Sequence, residues 1–163
     1  MLLDKLTKRA LTILTVSILV LPLAALAQEQ VANFNCTPVG GALMTNIGAI
    51  AGVTNLGPVF GDLAGSVAAT ILGQNANGTY NVQHYWVTAA GDTITLNVAV
   101  LTPTYPTSNK AIVAVPWGNY RSYINGGTGK FAGATGYLDY LGMADFTQST
   151  LVLRYRGQVC YAH

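Results

Sequence analysis

From residue 61 onward hydrophobic and polar positions alternate with a period of two, and no apolar set recurs at helical spacing, so the pattern predicts strands. Tyr80, Val82, His84 and Trp86 share one face of a strand between the turns Asn77-Gly78 and Ala90-Gly91-Asp92, with Asn81, Gln83 and Tyr85 on the other face. Ile94, Leu96, Val98 and Val100 then alternate with Thr93, Thr95, Asn97 and Ala99, and the short glycine-containing turn joins the two runs into a hairpin. Further strands are predicted over residues 62–72, with Gly65 inside, over 136–144, interrupted by Gly142, and over 151–159. Pro103, Pro106, Thr107 and Ser108 mark a polar loop, and Val115-Pro116-Trp117-Gly118 marks a second break. Residues 39–60, uncharged and holding five glycines, fit either one strand plus a loop or a short buried helix. Seven or eight strands at roughly ten-residue spacing in one domain suggest an antiparallel barrel or sandwich, and closure into a barrel of about eight strands removes the exposed edges.

The first residues break the alternation. Residues 1–9 are short and basic, residues 10–21 are almost unbroken apolar sequence, Pro22 ends the run, and Ala25-Leu26-Ala27 supplies small residues at the two positions a signal peptidase reads. Residues 1–27 are therefore expected to be a signal peptide, cleaved before Gln28, and residues 28–163 a single β-barrel domain. The alternative is an uncleaved anchor, because an apolar stretch of about 18 residues is near the lower limit for a membrane span. No cysteine follows the cleavage site and no arginine pair precedes it, which gives lipid anchoring and twin-arginine export no support. The expected location is periplasmic or extracellular, with no stable membrane insertion once the leader is gone. In an oxidising compartment the two cysteines are expected to form a Cys36–Cys160 disulfide, against the alternatives of free thiols or an intermolecular bond.

Charge narrows the partners. The whole chain carries 8 basic and 6 acidic side chains, but Lys5, Lys8, Arg9 and Asp4 lie in the leader, so the remaining body has as many acids as bases. A neutral body with so few charges has no basic patch for phosphate backbones, and no nucleic-acid partner is expected. All 18 glycines follow residue 27, about twice the ordinary usage, which again favours strands and tight turns.

The segment Gly126-Gly127-Thr128-Gly129-Lys130-Phe131 invites a phosphate-loop reading and fails it, because Ile124 stands where the first glycine is needed and Phe131 where Ser or Thr is needed. Gly127-x-Gly129-x-x-Ala132 mimics half of a dinucleotide fingerprint, but neither a following helix nor a parallel sheet is predicted. The simpler reading is that these glycines permit positive φ and sharp bends where strands turn a barrel corner. Residues Ile124 to Phe131, followed by Ala134-x-Gly136-Tyr137, resemble the signature of the dirigent proteins. The broader pattern is similar to the calycin-like allene oxide cyclase barrels, including small exported bacterial members. The resemblance implies an eight-stranded antiparallel barrel with an apolar lumen, often trimeric, that folds a reactive substrate without metal or organic cofactor. Plant dirigents usually carry Arg where Ala132 stands, and their acidic positions do not align, so no catalytic residue is carried over. Gly127, Thr128, Gly129 and Phe131 match the motif and look architectural.

Candidate chemistry is sparse. Tyr80, His84 and Trp86 are the expected ligand-binding residues, on the assumption that their face points into the lumen, although His84 also fits a core histidine satisfied by one hydrogen bond. Tyr137 and Asp139 share a face on a later strand and join His84 as weak candidates for proton transfer, Asp139 fitting a solvent-facing position equally well. Arg154 and Arg156 fit a solvated outer face or, with the barrel inverted, a polar lumen that recognises a carboxylate. His163 is terminal. No metal is expected, since only His84 and Asp92 lie close in sequence, and Gly65-Ser66 is not flanked as a hydrolase nucleophile requires. The leading function is therefore an exported barrel that binds a small apolar or amphipathic molecule in its lumen. A cofactor-free isomerase, cyclase or dirigent-type protein is the alternative, and a structural surface protein with a filled barrel is the third. Cavity size separates the third from the others.

Overall fold

The computed structural model describes residues 34–162; the expected leader at 1–27 and His163 lie outside the described residues. The strands are β1 (Phe34–Ile50), β2 (Thr54–Gly61), β3 (Gly65–Gln74), β4 (Tyr80–Thr88), β5 (Thr93–Leu96), β6 (Ala99–Leu101), β7 (Ile112–Val115), β8 (Tyr120–Gly127), β9 (Thr135–Asp145) and β10 (Thr150–Ala162). One turn of 3-10 helix, Gly129–Phe131, is the one helical element among the described residues. All pairings are antiparallel; β5 and β6 lie in line along β4, β7 and β8 lie in line along β9, and β10 returns to β1. Counting each in-line pair as one stave, the ten strands form a closed up-and-down barrel of eight staves, in which β7 pairs with β9 alone and its other side is met by the single Thr104–Ala114 bridge.

Both in-line breaks have local causes. Pro116 has no amide hydrogen to give a ladder, and the chain between β7 and β8 turns instead, with Asn119 N–H donating to the Pro116 carbonyl at 3.2 Å and Gly118 at φ +87°. Between β5 and β6, Asn97 and Val98 slip the alternation by one residue. Ile94, Leu96 and Ala99 are consequently buried, while Val98 and Val100 are each 50% exposed, so the face expected from strict alternation holds only as far as Leu96. Residues 39–60 contain no helix: they belong to the β1–β2 hairpin, whose turn passes through Gly52 at φ +73°.

The disulfide joins Cys36 and Cys160, which face each other in the β1–β10 register, so it staples the seam where the last strand closes on the first. It is consistent with an oxidising, exported location. No helix among the described residues is long and apolar enough to cross a membrane.

Inside, the two ends of the barrel differ. One end is filled by Trp86, Tyr155, Phe131, Leu63 and Ile94, all at most 2% exposed. Trp86 meets Tyr155 edge to face at 5.4 Å between ring centroids, and its Nε1–H donates to the Leu63 carbonyl at 2.9 Å. Leu63 N–H in turn donates to Tyr155 Oη at 3.0 Å, so each polar tip buried with these rings is satisfied. Full burial contributes roughly 1.5–3 kcal/mol per large side chain. The glycine-rich segment closes the same end: Phe131 is fully buried, Thr128 Oγ1 accepts from Thr93 N–H at 2.8 Å, and Gly127 passes so close to the Thr93 carbonyl that a Cβ would collide with it. Gly127, Thr128, Gly129 and Phe131 thus sit where the chain turns, at the packed end of the barrel.

Candidate lumen site

Above the packed end the inward side chains become smaller and the lumen opens. Leu43 on β1, Val67 and Ala69 on β3, Val82 on β4, Val115 on β7 and Leu153 on β10 wall an almost wholly apolar cavity of about 80 Å³. Among the described residues no carboxylate, lysine or arginine lines it. Ile71, Leu101, Val113 and Phe146 line this cavity and also a wider vestibule of about 340 Å³, so the lumen leads outward through them. Tyr80, Tyr105 and Lys110 give the vestibule its polar groups; Lys110 Nζ stands 5.3 Å above the Tyr105 ring. Neighbouring Tyr105, then burial, raises the Tyr80 hydroxyl above its ordinary pKa.

The floor of the cavity is a polar layer set in apolar surroundings. Alternation along β4 turns His84 inward, along β8 it turns Tyr120 and Ser122 inward, and along β9 it turns Tyr140 inward. His84 Nε2 is hydrogen-bonded to Tyr120 Oη at 2.6 Å and Nδ1 to Ser122 Oγ at 3.2 Å. The Tyr140 ring stacks on the imidazole at 5.5 Å and lies 4.8 Å from the Tyr120 ring. Burial pushes His84 down from 6.5 to about 4, so the imidazole is neutral at physiological pH, with one nitrogen a donor and the other an acceptor. Burial also pushes the Tyr120 and Tyr140 hydroxyls well above the usual phenol range, and both stay protonated. Ser122, which bonds His84 Nδ1, also lies close enough to the Tyr140 hydroxyl to offset part of that rise.

The residues expected from sequence are distributed unevenly around this site. His84 lines the cavity and Tyr80 the vestibule, whereas Trp86 plugs the closed end and does not reach the cavity. Tyr137 and Asp139 lie on the outer face of β9. Asp139 accepts from Arg121 Nε and Nη2 at 2.7 and 2.8 Å, and the Arg121 guanidinium lies 4.2 Å from the Tyr137 ring. They are therefore not brought together with His84. The inward face of β9 is instead Leu138, Tyr140 and Ala144, because Asp139 is drawn outward by Arg121, its register partner on β8. Arg154 and Arg156 are exposed on the outer face of β10, with the Arg156 guanidinium 4.2 Å from the Trp117 ring. Among the described residues no three His, Cys, Asp or Glu side chains gather as a metal site would need. Tyr120, Ser122 and Tyr140 were not singled out by sequence. The signal was there in the alternation Tyr120, Ser122, Ile124 against Arg121, Tyr123, Asn125, overlapped by the glycine-rich motif.

No family model matches the chain, and no curated protein does. Two solved structures of dirigent proteins are similar to it. The pterocarpan synthase dirigent protein GePTS1 is 14% identical over 81% of this chain and 93% of its own, with a TM-score of 0.36. The pterocarpan synthase dirigent protein PsPTS1 is 13% identical over 79% of this chain and 97% of its own, with a TM-score of 0.34. The likeness concerns the fold alone.

Proposed function

We propose that this barrel binds a small apolar or amphipathic molecule in its lumen, with the apolar part in the cavity and any polar end at the vestibule beside Tyr80, Tyr105 and Lys110. One observation carries the reading: the barrel is packed solid at one end and hollow at the other, and the hollow end is apolar, walled mainly by aliphatic side chains and open through a mouth that carries Tyr80, Tyr105 and Lys110. Sites of this kind take ligands because the displaced water has few partners to lose and the ligand meets apolar walls on every side. The same observation weighs against a structural barrel filled throughout. Steering or isomerisation of a reactive substrate without a cofactor is the second reading, favoured by the imidazole of His84 at the cavity floor, held in place by its hydrogen bond to Tyr120.

The test is native mass spectrometry of the protein from its host's exported fraction, followed by denaturation and analysis of the small molecules released, alongside Ala69→Phe to block the lumen. A stoichiometric adduct present in the wild type and missing from the folded variant is the expected result. An adduct that survives in Ala69→Phe, or a wild type that carries none and takes up no apolar fluorescent probe, refutes lumen binding.

A further inference from the structure

The outer face of the barrel carries a polar dish that the lumen does not use. Arg121 on β8, Asp139 on β9 and Arg156 on β10 are register partners in one row, and Tyr123, Tyr137 and Gln158 form the next row on the same face. Arg121, Tyr137, Asp139 and Arg156 line a dish of about 440 Å³, with Pro38 and Val39 as its aliphatic part. Its charges are unequally matched. Both Asp139 oxygens are taken by Arg121, and this is the one ion pair among the described residues. Arg156, on the other side of Asp139, has no carboxylate partner among them; its guanidinium lies over the Trp117 ring at 4.2 Å instead. We propose that the dish binds a polyhydroxylated carboxylate, the uronate residue of an acidic saccharide, with the carboxylate on Arg156 and the hydroxyls on the polar groups around it.

Each part of that class answers a feature of the dish. A guanidinium held over an aromatic ring keeps its N–H donors, which lie in its own plane, for a planar acceptor, and a carboxylate takes two of them side by side. Gly40, the register partner of Arg156 on β1, has no side chain and leaves that flank open. Arg154, two residues earlier and likewise exposed, adds a second positive charge roughly 7 Å along the strand. Asp62, which reaches the same row, is tied to the Gly40 N–H at 2.8 Å. With Asp139 already neutralised by Arg121, an anion meets a positive surface. The hydroxyls of Tyr123 and Tyr137 and the amide of Gln158 both donate and accept, as the hydroxyls of a sugar do. The tail of a fatty or aromatic acid finds little apolar wall there beyond Pro38 and Val39. The dish lies outside the lumen, so it stands or falls apart from the lumen-binding reading.

The experiment is an NMR titration of the folded protein, followed at the Arg156 Nε–Hε resonance, with three probes: a short oligogalacturonate, its fully methyl-esterified form, and polyacrylate. The ester keeps the shape and loses the charge, whereas polyacrylate keeps the carboxylates and loses the hydroxyls. Oligogalacturonate is expected to bind roughly tenfold or more tighter than either, and to shift the Arg156 resonance. Arg156→Lys keeps the charge without the planar fork, and Arg156→Gln removes both. Each is expected to lose that preference while the urea midpoint stays unchanged, since the position is exposed. Equal binding of the ester, or of polyacrylate per carboxylate, overturns the inference. So does an oligogalacturonate affinity that survives in Arg156→Lys, which would mean attraction to charge alone. Absence of any binding to the folded wild type overturns it outright, and in every case lumen binding is untouched.

Discussion

Lowering the pH is expected to destabilise the fold through one residue. His84 is 4% exposed, held between Tyr120 and Tyr140, and burial lowers its pKa from 6.5 to about 4. Between those two values the unfolded chain binds a proton that the folded barrel refuses, so unfolding takes up protons and stability falls as the pH falls. The contribution is intact above pH 6.5, erodes at up to about 1.4 kcal/mol per pH unit below it, and levels off near pH 4. Between pH 7 and pH 4.5 the loss comes to about 2.5 kcal/mol, or roughly 10 °C in Tm for a domain of this size. Carboxylates titrate over part of the same interval, and the assay must separate them. Urea unfolding of the wild type and of His84→Gln, which retains a donor and an acceptor for Tyr120 and Ser122, is measured at pH 7, 5.5 and 4.5. The carboxylate contribution is common to both proteins, so the difference between their curves belongs to His84. Parallel pH profiles would refute the reasoning, since they would mean that the imidazole is protonated as readily inside the barrel as outside it.

Two further outcomes follow from the seam and the outer face. Replacing Cys36 and Cys160 by serine removes a crosslink between residues 124 apart, and is expected to lower stability by up to about 4–5 kcal/mol, read as a lower urea midpoint; equal midpoints would show that strand pairing alone holds the seam. Asp139→Asn loosens an ion pair whose Arg121 side chain is 41% exposed, so a stability change of at most about 1 kcal/mol is expected, with uptake of an apolar fluorescent probe unchanged; a loss of uptake would contradict the outward placement of this carboxylate.

The fold was legible because closure of a meander asks only for regular alternation and short turns, and this chain supplies both from residue 61 onward. Alternation failed at two kinds of place. A bulge carries no compositional mark of its own, so the slip at Asn97 and Val98 could not be read from Ile94, Leu96, Val98 and Val100 on one parity. Parity also does not say which face is inside when both carry apolar residues. On β9 the set Tyr137, Asp139, Leu141 and the set Leu138, Tyr140, Ala144 look alike in sequence, and the choice is made by Arg121 across the strand, which holds Asp139 on the outside. The site residues suffered most from this. His84 was visible as a rare imidazole on an aromatic face, whereas Tyr120, Ser122 and Tyr140 acquire meaning only when three strands bring them around that imidazole.

The division of the barrel into a solid and a hollow end also explains how a fold this small can keep a cavity. A void costs stability because its lining loses contacts, and an eight-staved barrel has barely enough interior for its own side chains. Here the large inward residues, Trp86, Tyr155 and Phe131, are concentrated with Leu63 at one end, where their polar tips bond to backbone, and the disulfide fastens the β1–β10 seam. The cohesion of the fold is thereby lodged away from the lumen. The hollow end is produced by small residues at positions such as Ala69 and Ala144, on the same inward face that carries Trp86 and Tyr140 elsewhere along those ladders. Its size is then a matter of which inward positions are small, so that enlarging Ala69 or Ala144 fills the hollow end without touching the packed one.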